Sequence, residues 1–263
     1  MKIAVSGKGG VGKTTLTALL SQVYADRGRQ VLAVDADPSP CLAGALGFPE
    51  NLRSQLHPIA EMDELIEERT GAKPGTLGGF FTLNPRVDDI PERFSVTHRN
   101  VKLLEMGSVD MGGSGCICPE AAMLKTLFTH LLFRKDDMLI LDMYAGVEHL
   151  GRATVDFVDA MLIMVEPTRR SLGTASQIKK LASDIGLTRC WLVGNKIRNE
   201  DERIFLETET PGLPILGFMP ADLGVQEADR LGIPVYDHVP ELRLAAESMV
   251  KVLDTQLVKD LAE

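Results

Sequence analysis

The sequence predicts an α/β fold, a doubly wound and mostly parallel β-sheet with helices on both faces. Short aliphatic or β-branched runs recur along the chain and alternate with stretches of helical spacing, and several of these runs are apolar throughout. Continuous apolar runs are typical of parallel strands that helices cover on both faces. The candidate strands are residues 2–6, 31–35, 101–105, 138–142, 161–165, 190–193 and 214–218. In such a sheet, ligands bind at the carboxyl ends of the strands.

The length and composition predict one domain. The chain has 263 residues, of which 44% are hydrophobic, and this is enough for a single α/β core over residues 1–263. Residues 47–100 are rich in proline, glycine and charge, and we expect an irregular insertion there in which only 62–69 is helical. Apolar residues at near-helical spacing predict a last helix over 241–261, packed on the sheet.

The charge balance limits the classes of partner. A net charge of −9 and a pI near 5.2 argue against a broad electrostatic surface for DNA or anionic lipid. No apolar stretch approaches the length of a membrane span, and the N-terminus lacks the pattern of a signal peptide. We therefore expect a cytoplasmic protein with no nucleic-acid partner and no membrane partner.

The first candidate strand leads into a glycine-rich turn. Residues 7–15 read G-K-G-G-V-G-K-T-T and fit the pattern G-x-x-x-x-G-K-[ST], whose backbone N–H groups cradle the phosphates of a nucleoside triphosphate. In this pattern Lys13 reaches the β- and γ-phosphates, and the Thr14 hydroxyl binds Mg²⁺. The residues predicted to contact the nucleotide here are Gly9, Gly10, Val11, Gly12, Lys13, Thr14 and Thr15.

An additional lysine, Lys8, makes the turn more specific. The pattern K-G-G-x-G-K-T-T that begins at Lys8 resembles the deviant phosphate loop of the family that contains the MinD and ParA ATPases and the nitrogenase iron protein. The resemblance implies a homodimer that sandwiches ATP, with Lys8 of each subunit crossing to its partner's nucleotide. It also implies that Lys8 and Lys13 stabilise charge while ATP is hydrolysed to ADP.

Two candidate strands end in aspartates. Asp142 follows the run 138–141, where a carboxylate is placed to hold Mg²⁺. Asp35 and Asp37 lie at the end of the strand at 31–35, and this segment resembles the first switch of the same family, whose aspartate orients the attacking water. The resemblance gives Asp37 that catalytic role and Asp35 a supporting or structural one. Two aspartates that only form a turn are the alternative.

Two later strand ends predict the contacts to the base. Asn195 and Lys196 follow the strand at 190–193 and resemble the family's adenine-recognising asparagine, while Pro220 and Asp222 follow the next strand at the other base-contacting position. Adenine is favoured over guanine. The dipeptide N-K also occurs in guanine-binding loops, where an aspartate follows two residues later, but here Arg198 occupies that position.

The motif Cys116-Ile117-Cys118 predicts a metal site. Residues two apart in an extended segment point to the same face, and Pro119 begins a helix whose positive end would stabilise thiolates. Two copies across a dimer axis would supply the four thiolates that zinc or another thiophilic ion prefers. Two buried cysteines at a helix start are the alternative. Cys41 and Cys190 have no suitable neighbours in sequence and are interpreted as packing residues.

Together with residues 142–152, these motifs closely resemble the CO dehydrogenase maturation ATPases, the CooC family. The resemblance implies a dimeric ATPase that assists nickel insertion into carbon monoxide dehydrogenase, with zinc or nickel at Cys116 and Cys118 of both subunits. His149 lies where the nitrogenase iron protein has a cluster cysteine, which argues against a reductase of that kind. A partition ATPase acting on DNA or membrane and an iron–sulfur reductase stay open as alternatives.

Overall fold

A parallel sheet organises the chain. The computed structural model describes residues 1–75, 80–107, 118–133, 138–144, 158–210 and 212–260. The strands are β1 (Lys2–Gly7), β2 (Val31–Ala36), β3 (Val96–His98), β4 (Val101–Glu105), β5 (Met138–Met143), β6 (Ala160–Val165), β7 (Cys190–Ile197) and β8 (Ile215–Pro220). They form one sheet in the order β3-β4-β2-β5-β1-β6-β7-β8, parallel except for β3. The predicted fold class is confirmed.

Helices cover both faces of this sheet. The helices are α1 (Lys13–Asp26), α2 (Leu42–Ala45), α3 (Glu50–Arg53), α4 (Asp63–Thr70), α5 (Ile90–Phe94), α6 (Pro119–Phe133), α7 (Arg169–Ile185), α8 (Glu200–Glu209), α9 (Gly224–Leu231), α10 (Val235–His238) and α11 (Pro240–Asp260). Within the described residues, a 3-10 turn spans Ile59–Glu61.

The central strand β1 contributes to two hydrophobic clusters. Ile3 and Val5 belong to the cluster that includes residues of α1 and α11, whereas Ala4 belongs to the cluster that includes residues of α6 and α7. Successive side chains of a strand point to opposite faces of its sheet. Because both faces are buried, β2, β5 and β6 are buried at every position, which explains why their sequences are apolar except for Asp35 in β2 and Asp142 in β5.

The described part of residues 47–100 contains a strand, β3, and two short helices, α3 and α5, that the sequence did not predict, so the segment is more regular than expected. β3 pairs antiparallel with β4, and the turn between them consists of Arg99 and Asn100, both at positive φ. Two such residues form the primed turn that joins two strands directly. Further along this segment, Ile59, Ile66 and Ile90 are buried in the core next to α6. The predicted helix at 62–69 corresponds to α4.

Candidate nucleotide-binding site

The phosphate loop joins β1 to α1. β1 ends at Gly7 and α1 begins at Lys13, with Gly12 in the preceding cap position. Gly7, Gly10 and Gly12 have φ values of 148°, 74° and 103°, which side-chain-bearing residues rarely adopt. Glycines in these conformations let consecutive N–H groups line a concave surface beside a helix N-terminus, where an anion is stabilised. The loop therefore has the backbone of an anion cradle.

The end of β7 braces this loop. Asn195, which is 7% exposed, donates its Nδ2 to the carbonyl oxygen of Val11 at 2.7 Å. Lys196 donates its Nζ to the carbonyl oxygen of Gly10 at 2.9 Å. A Cβ on Gly12 would lie 2.3 Å from Asn195 Nδ2, so only glycine leaves room for this contact. Both predicted base-contacting residues thus hold the phosphate loop, and adenine recognition by them stays a prediction.

Beside the cradle lies a buried carboxylate, Asp142. It is hydrogen-bonded to the Thr14 side chain, and among the described residues its Oδ1 is buried without a hydrogen-bond partner. The pKa of Asp142 is raised to about 7, mainly by burial and also by the charges of Asp35 and Asp37, while the hydrogen bond from Thr14 and the charge of Lys13 oppose the rise. An unpaired carboxylate oxygen next to a threonine hydroxyl is the hard-oxygen environment that Mg²⁺ prefers. The two residues predicted to hold Mg²⁺ therefore fit that ion.

Three carboxylates lie in register across neighbouring strands. Asp35 of β2 pairs with Glu105 of β4 on one side and with Asp142 of β5 on the other. We call these three residues the carboxylate row. Burial, followed by the charges of Asp35 and Glu61, raises the pKa of Glu105 to about 7. Glu105 was not predicted as a site residue, although it lies at the end of a candidate strand, as Asp35 and Asp142 do.

Asp35 and Asp37 have different surroundings. Asp35 is fully buried and accepts hydrogen bonds from the backbone N–H groups of Asp37, Cys41 and Leu42, at 2.9 to 3.1 Å. Burial nevertheless raises its pKa above the usual range. Asp37 is half-buried and accepts from the N–H of Ser39 at 3.0 Å. This geometry gives Asp35 the structural task of shaping the loop that presents Asp37.

The two predicted catalytic lysines differ in exposure. Lys13 is 7% exposed and close enough to Asp142 to influence its titration. Lys8, Gly9 and Gly10 are exposed at the tip of the loop. Lys13 therefore lies buried near Asp142 of its own chain, whereas Lys8 lies exposed at the tip of the loop.

The second predicted base loop lies at the end of β8. Pro220 is its last residue, and the N–H of Ala221 donates to the carbonyl oxygen of Ile197 at 2.9 Å, which ties this loop to the end of β7. Asp222 is exposed and accepts from the N–H of Gly224 at 2.6 Å. The two candidate base loops are therefore adjacent.

The cysteines occupy dissimilar positions. Cys116 and His149 lie outside the described residues, whereas Cys118 is half-buried and its carbonyl oxygen accepts from the N–H of Ala122 in the first turn of α6. Among the described residues, no group of three or more His, Cys, Asp or Glu side chains could hold a metal ion. Cys190 is buried, in agreement with a packing role. Cys41 is exposed, so the packing interpretation is wrong there: its thiol lies at the surface and donates to the carbonyl oxygen of Ser39 at 3.2 Å.

Comparison with known sequences identifies the relatives of this chain. Residues 2–235 match the family described as the CobQ/CobB/MinD/ParA nucleotide-binding domain. The carbon monoxide dehydrogenase accessory protein CooC of Rhodospirillum rubrum is 45% identical over 253 residues, which cover 96% of each chain. An uncharacterised ATP-binding protein of Methanocaldococcus jannaschii is 46% identical over 237 residues, covering 89% of this chain and 91% of that one.

Solved structures support the same fold. The MinD cell-division protein of Aquifex aeolicus superimposes with a TM-score of 0.66 over 97% of both chains, at 22% identity. In the described part of the chain, no helix is long and apolar enough to cross a membrane. The phosphate loop, the sheet and these similarities lead to one conclusion: the chain belongs to the CobQ/CobB/MinD/ParA family of nucleotide-binding domains and is a homologue of CooC.

Proposed function

We propose that this chain is a homodimeric, Mg²⁺-dependent ATPase that assists nickel insertion into carbon monoxide dehydrogenase. The observation that carries the proposal is the 45% identity to a carbon monoxide dehydrogenase accessory protein, which extends over 96% of both chains. The presence of Cys116 and Cys118 in this chain supports the metal-related part. Carbon monoxide dehydrogenase is the proposed client.

The nucleotide chemistry rests on residues that lie at the carboxyl ends of β1, β2 and β5. The glycine-rich loop and Lys13 bind the phosphates of ATP, and Asp37 orients the attacking water. Thr14 and Asp142 would hold Mg²⁺, which neutralises phosphate charge when bound. Asn195, Lys196, Pro220 and Asp222 form the base side of the site. Hydrolysis of this kind needs accurate positioning and charge stabilisation rather than strong acid–base catalysis.

Dimerisation would give the exposed Lys8 a partner. Lys8 is exposed, and the neighbouring Gly9 and Gly10 leave the loop tip without side chains that would keep a partner away. In the proposed dimer, Lys8 contacts the nucleotide of the other subunit. ATP then stabilises the closed dimer, because its γ-phosphate attracts a charge that belongs to the partner.

The cysteine pair is proposed as the site that the ATP cycle controls. Cys118 immediately precedes α6, and a helix N-terminus stabilises a thiolate. Cys116 and Cys118 of both subunits would supply four sulfur ligands for zinc or nickel, a set that suits either a tetrahedral zinc site or transient nickel binding. Opening and closing the dimer would then assemble and release this site.

Metal titration with and without nucleotide tests the proposal. We expect the wild-type dimer to bind one Zn²⁺ or Ni²⁺ ion per two chains and the variant Cys116→Ser/Cys118→Ser to lose this ion. Cys41→Ser is the matched control because it removes an exposed thiol away from the motif. An unchanged metal stoichiometry in the double variant would contradict the proposal.

Co-expression with carbon monoxide dehydrogenase tests the client. At limiting nickel, we expect the nickel content of the purified dehydrogenase to rise when the wild-type chain is present and to remain low with the double cysteine variant. Equal nickel content in all cultures would exclude this client.

A further inference from the structure

We infer that Glu166 is a positioning residue, which acts through Lys196 to fix the turn that carries Lys8. This inference rests on the proposed role of Lys8 in the dimeric ATPase. Glu166 follows β6, and its Oε1 lies 2.5 Å from Lys196 Nζ. The same Nζ donates to the carbonyl oxygen of Gly10 at 2.9 Å. One ammonium group therefore joins a carboxylate on one strand end to the backbone of the phosphate loop.

The bond to Gly10 has a consequence on the other side of its peptide group. In a trans peptide, the carbonyl oxygen of one residue and the N–H of the next point in opposite directions. Lys196 holds the carbonyl oxygen of Gly10, and the N–H of Val11 donates to the carbonyl oxygen of Lys8 at 3.2 Å. Fixing one end of this peptide group therefore fixes the turn from Lys8 to Val11.

The backbone of Lys196 is shaped for this contact. Lys196 has a φ of 59°, one of three side-chain-bearing residues in the described structure with a positive φ, and it lies in a register irregularity between β7 and β8. A non-glycine residue in this region persists only where its surroundings hold it there. The neighbouring Asn195 contributes by accepting the N–H of Lys196 on its Oδ1 at 2.8 Å.

Glu166 is itself held in place. Its backbone N–H donates to Ser171 Oγ at 3.0 Å, and its carbonyl oxygen accepts from the N–H of Thr168 at 2.7 Å. The side chain is only 30% exposed, whereas that of Lys196 is 48% exposed. Without the carboxylate, the flexible side chain of Lys196 would adopt several solvent-exposed conformations. Its hydrogen bond to the carbonyl oxygen of Gly10 would then be formed less often.

The arrangement separates two functions within one loop. Asn195 holds the carbonyl oxygen of Val11, whose peptide group carries the N–H of Gly12 toward the cradle. The pair Glu166–Lys196 holds the preceding peptide group, between Gly10 and Val11. It thereby fixes the orientation of Lys8 relative to the loop. Loss of Glu166 should therefore impair the step that needs the partner's lysine more than the binding of nucleotide to one chain.

Kinetics of Glu166→Gln test this separation. We expect kcat for ATP to fall about tenfold, while KM for ATP and the Kd for ADP change by less than about twofold. The dimer formed with a non-hydrolysable ATP analogue should dissociate about tenfold more readily, as measured by analytical ultracentrifugation. Glu207→Gln is the matched control, because Glu207 forms a similarly exposed ion pair with Arg203 that does not contact the loop.

Double-mutant cycles distinguish positioning from a general structural effect. Glu166→Gln should have no further effect on kcat in a Lys196→Met or a Lys8→Ala background, since each of these variants already breaks the chain of contacts. Effects that multiply independently with Lys8→Ala would overturn the inference. So would a Glu166→Gln variant with wild-type kcat and dimer stability, or one that weakens ADP binding as strongly as it lowers kcat.

The measurements also separate this inference from the proposed function. A wild-type chain that dimerises with the analogue but does not hydrolyse ATP contradicts the proposed ATPase. The role of Glu166 is then decided by dimer stability, measured in the same double-mutant cycles. A wild-type chain that shows neither hydrolysis nor nucleotide-dependent dimers contradicts both. Normal hydrolysis together with an unaffected Glu166→Gln variant contradicts the inference alone.

Discussion

The phosphate loop and the carboxylate row lie side by side at the carboxyl edge of the sheet, and their polar groups are satisfied to different degrees. The carbonyl oxygens of Gly10 and Val11 are both bonded to side chains from β7. In the carboxylate row, by contrast, Asp142 has a buried oxygen without a partner in the described structure, and the pKa values of Asp142 and Glu105 are raised to about 7.

This difference indicates how each half is completed. The anion cradle is braced by the protein before any ligand binds, so little ordering is needed when phosphate enters. The carboxylate row is electrostatically unfavourable without a cation, because burial disfavours the ionised carboxylates and they repel one another. A cation at Asp142 would relieve that repulsion, so we expect a bound ligand to complete this half of the site.

The largest expected effect comes from breaking the braced half with Gly12→Ala. We expect the affinity for MgADP to fall at least about 100-fold, because alanine disfavours a φ of 103° and its Cβ would displace Asn195 from Val11. Isothermal titration calorimetry measures the affinity. Gly173→Ala is the control, since a Cβ on that residue of α7 meets nothing within 4 Å. An unaltered affinity in Gly12→Ala would show that the brace is dispensable.

The carboxylate row should respond to substitution in the opposite sense. We expect Asp142→Asn to weaken binding of the Mg²⁺–nucleotide complex at least about tenfold but to raise the unfolding free energy of the ligand-free chain by about 2 kcal/mol at pH 8. The gain follows because the pKa of Asp142 is about 7, so ionisation is unfavourable in the folded state.

Urea unfolding with and without MgADP measures both effects of Asp142→Asn. Asp184→Asn, on the exposed surface of α7, serves as the control for removing an acidic group. If the ligand-free Asp142→Asn chain were less stable than the wild type, the carboxylate row would not be unfavourable without a cation, and the contrast with the phosphate loop would be contradicted.

The smallest expected effect is a pH dependence that Glu105 contributes. Its pKa is about 7 in the folded chain against an ordinary value of 4.5, so the folded state binds the extra proton and stability falls as the pH rises through 7. Between pH 6 and pH 8 we expect Glu105 to account for about 1 kcal/mol, less than a fully buried group would give. Glu105→Gln should flatten the stability profile of the ligand-free chain by this amount. A steeper profile in the variant would contradict the assignment.

Short-range patterns in the sequence predicted the parts of the site that depend on local chain geometry. The spacing of glycines and Lys13 identified the phosphate loop, and apolar runs located seven of the strands and the aspartates at their ends. The parallel register then brings Thr14 next to Asp142, as a site for one cation requires. The roles of these residues remain predictions, but their proximity follows from the fold.

Contacts between distant strand ends could not be predicted in the same way. Asn195 and Lys196 were interpreted only as base-contacting residues, because nothing in the sequence shows which backbone group a side chain will meet 184 or 186 residues away. Glu166 has no motif of its own. β3 escaped prediction because it has only three residues, which are half-buried or exposed, and its turn lacks glycine.

The position of β1 in the sheet has a consequence for how the protein folds. Lys2 pairs with Leu139 of β5 and Ile3 with Ala160 of β6, so the strand before the phosphate loop has no sheet neighbour until β5 or β6 has been synthesised. Contacts between such distant segments form slowly. The glycine-rich motif therefore acquires its shape only after β5 and β6, which follow it at a distance in the chain, and Asn195 of β7 joins it later still. The backbone of the anion cradle is thereby braced only after most of the sheet has been assembled.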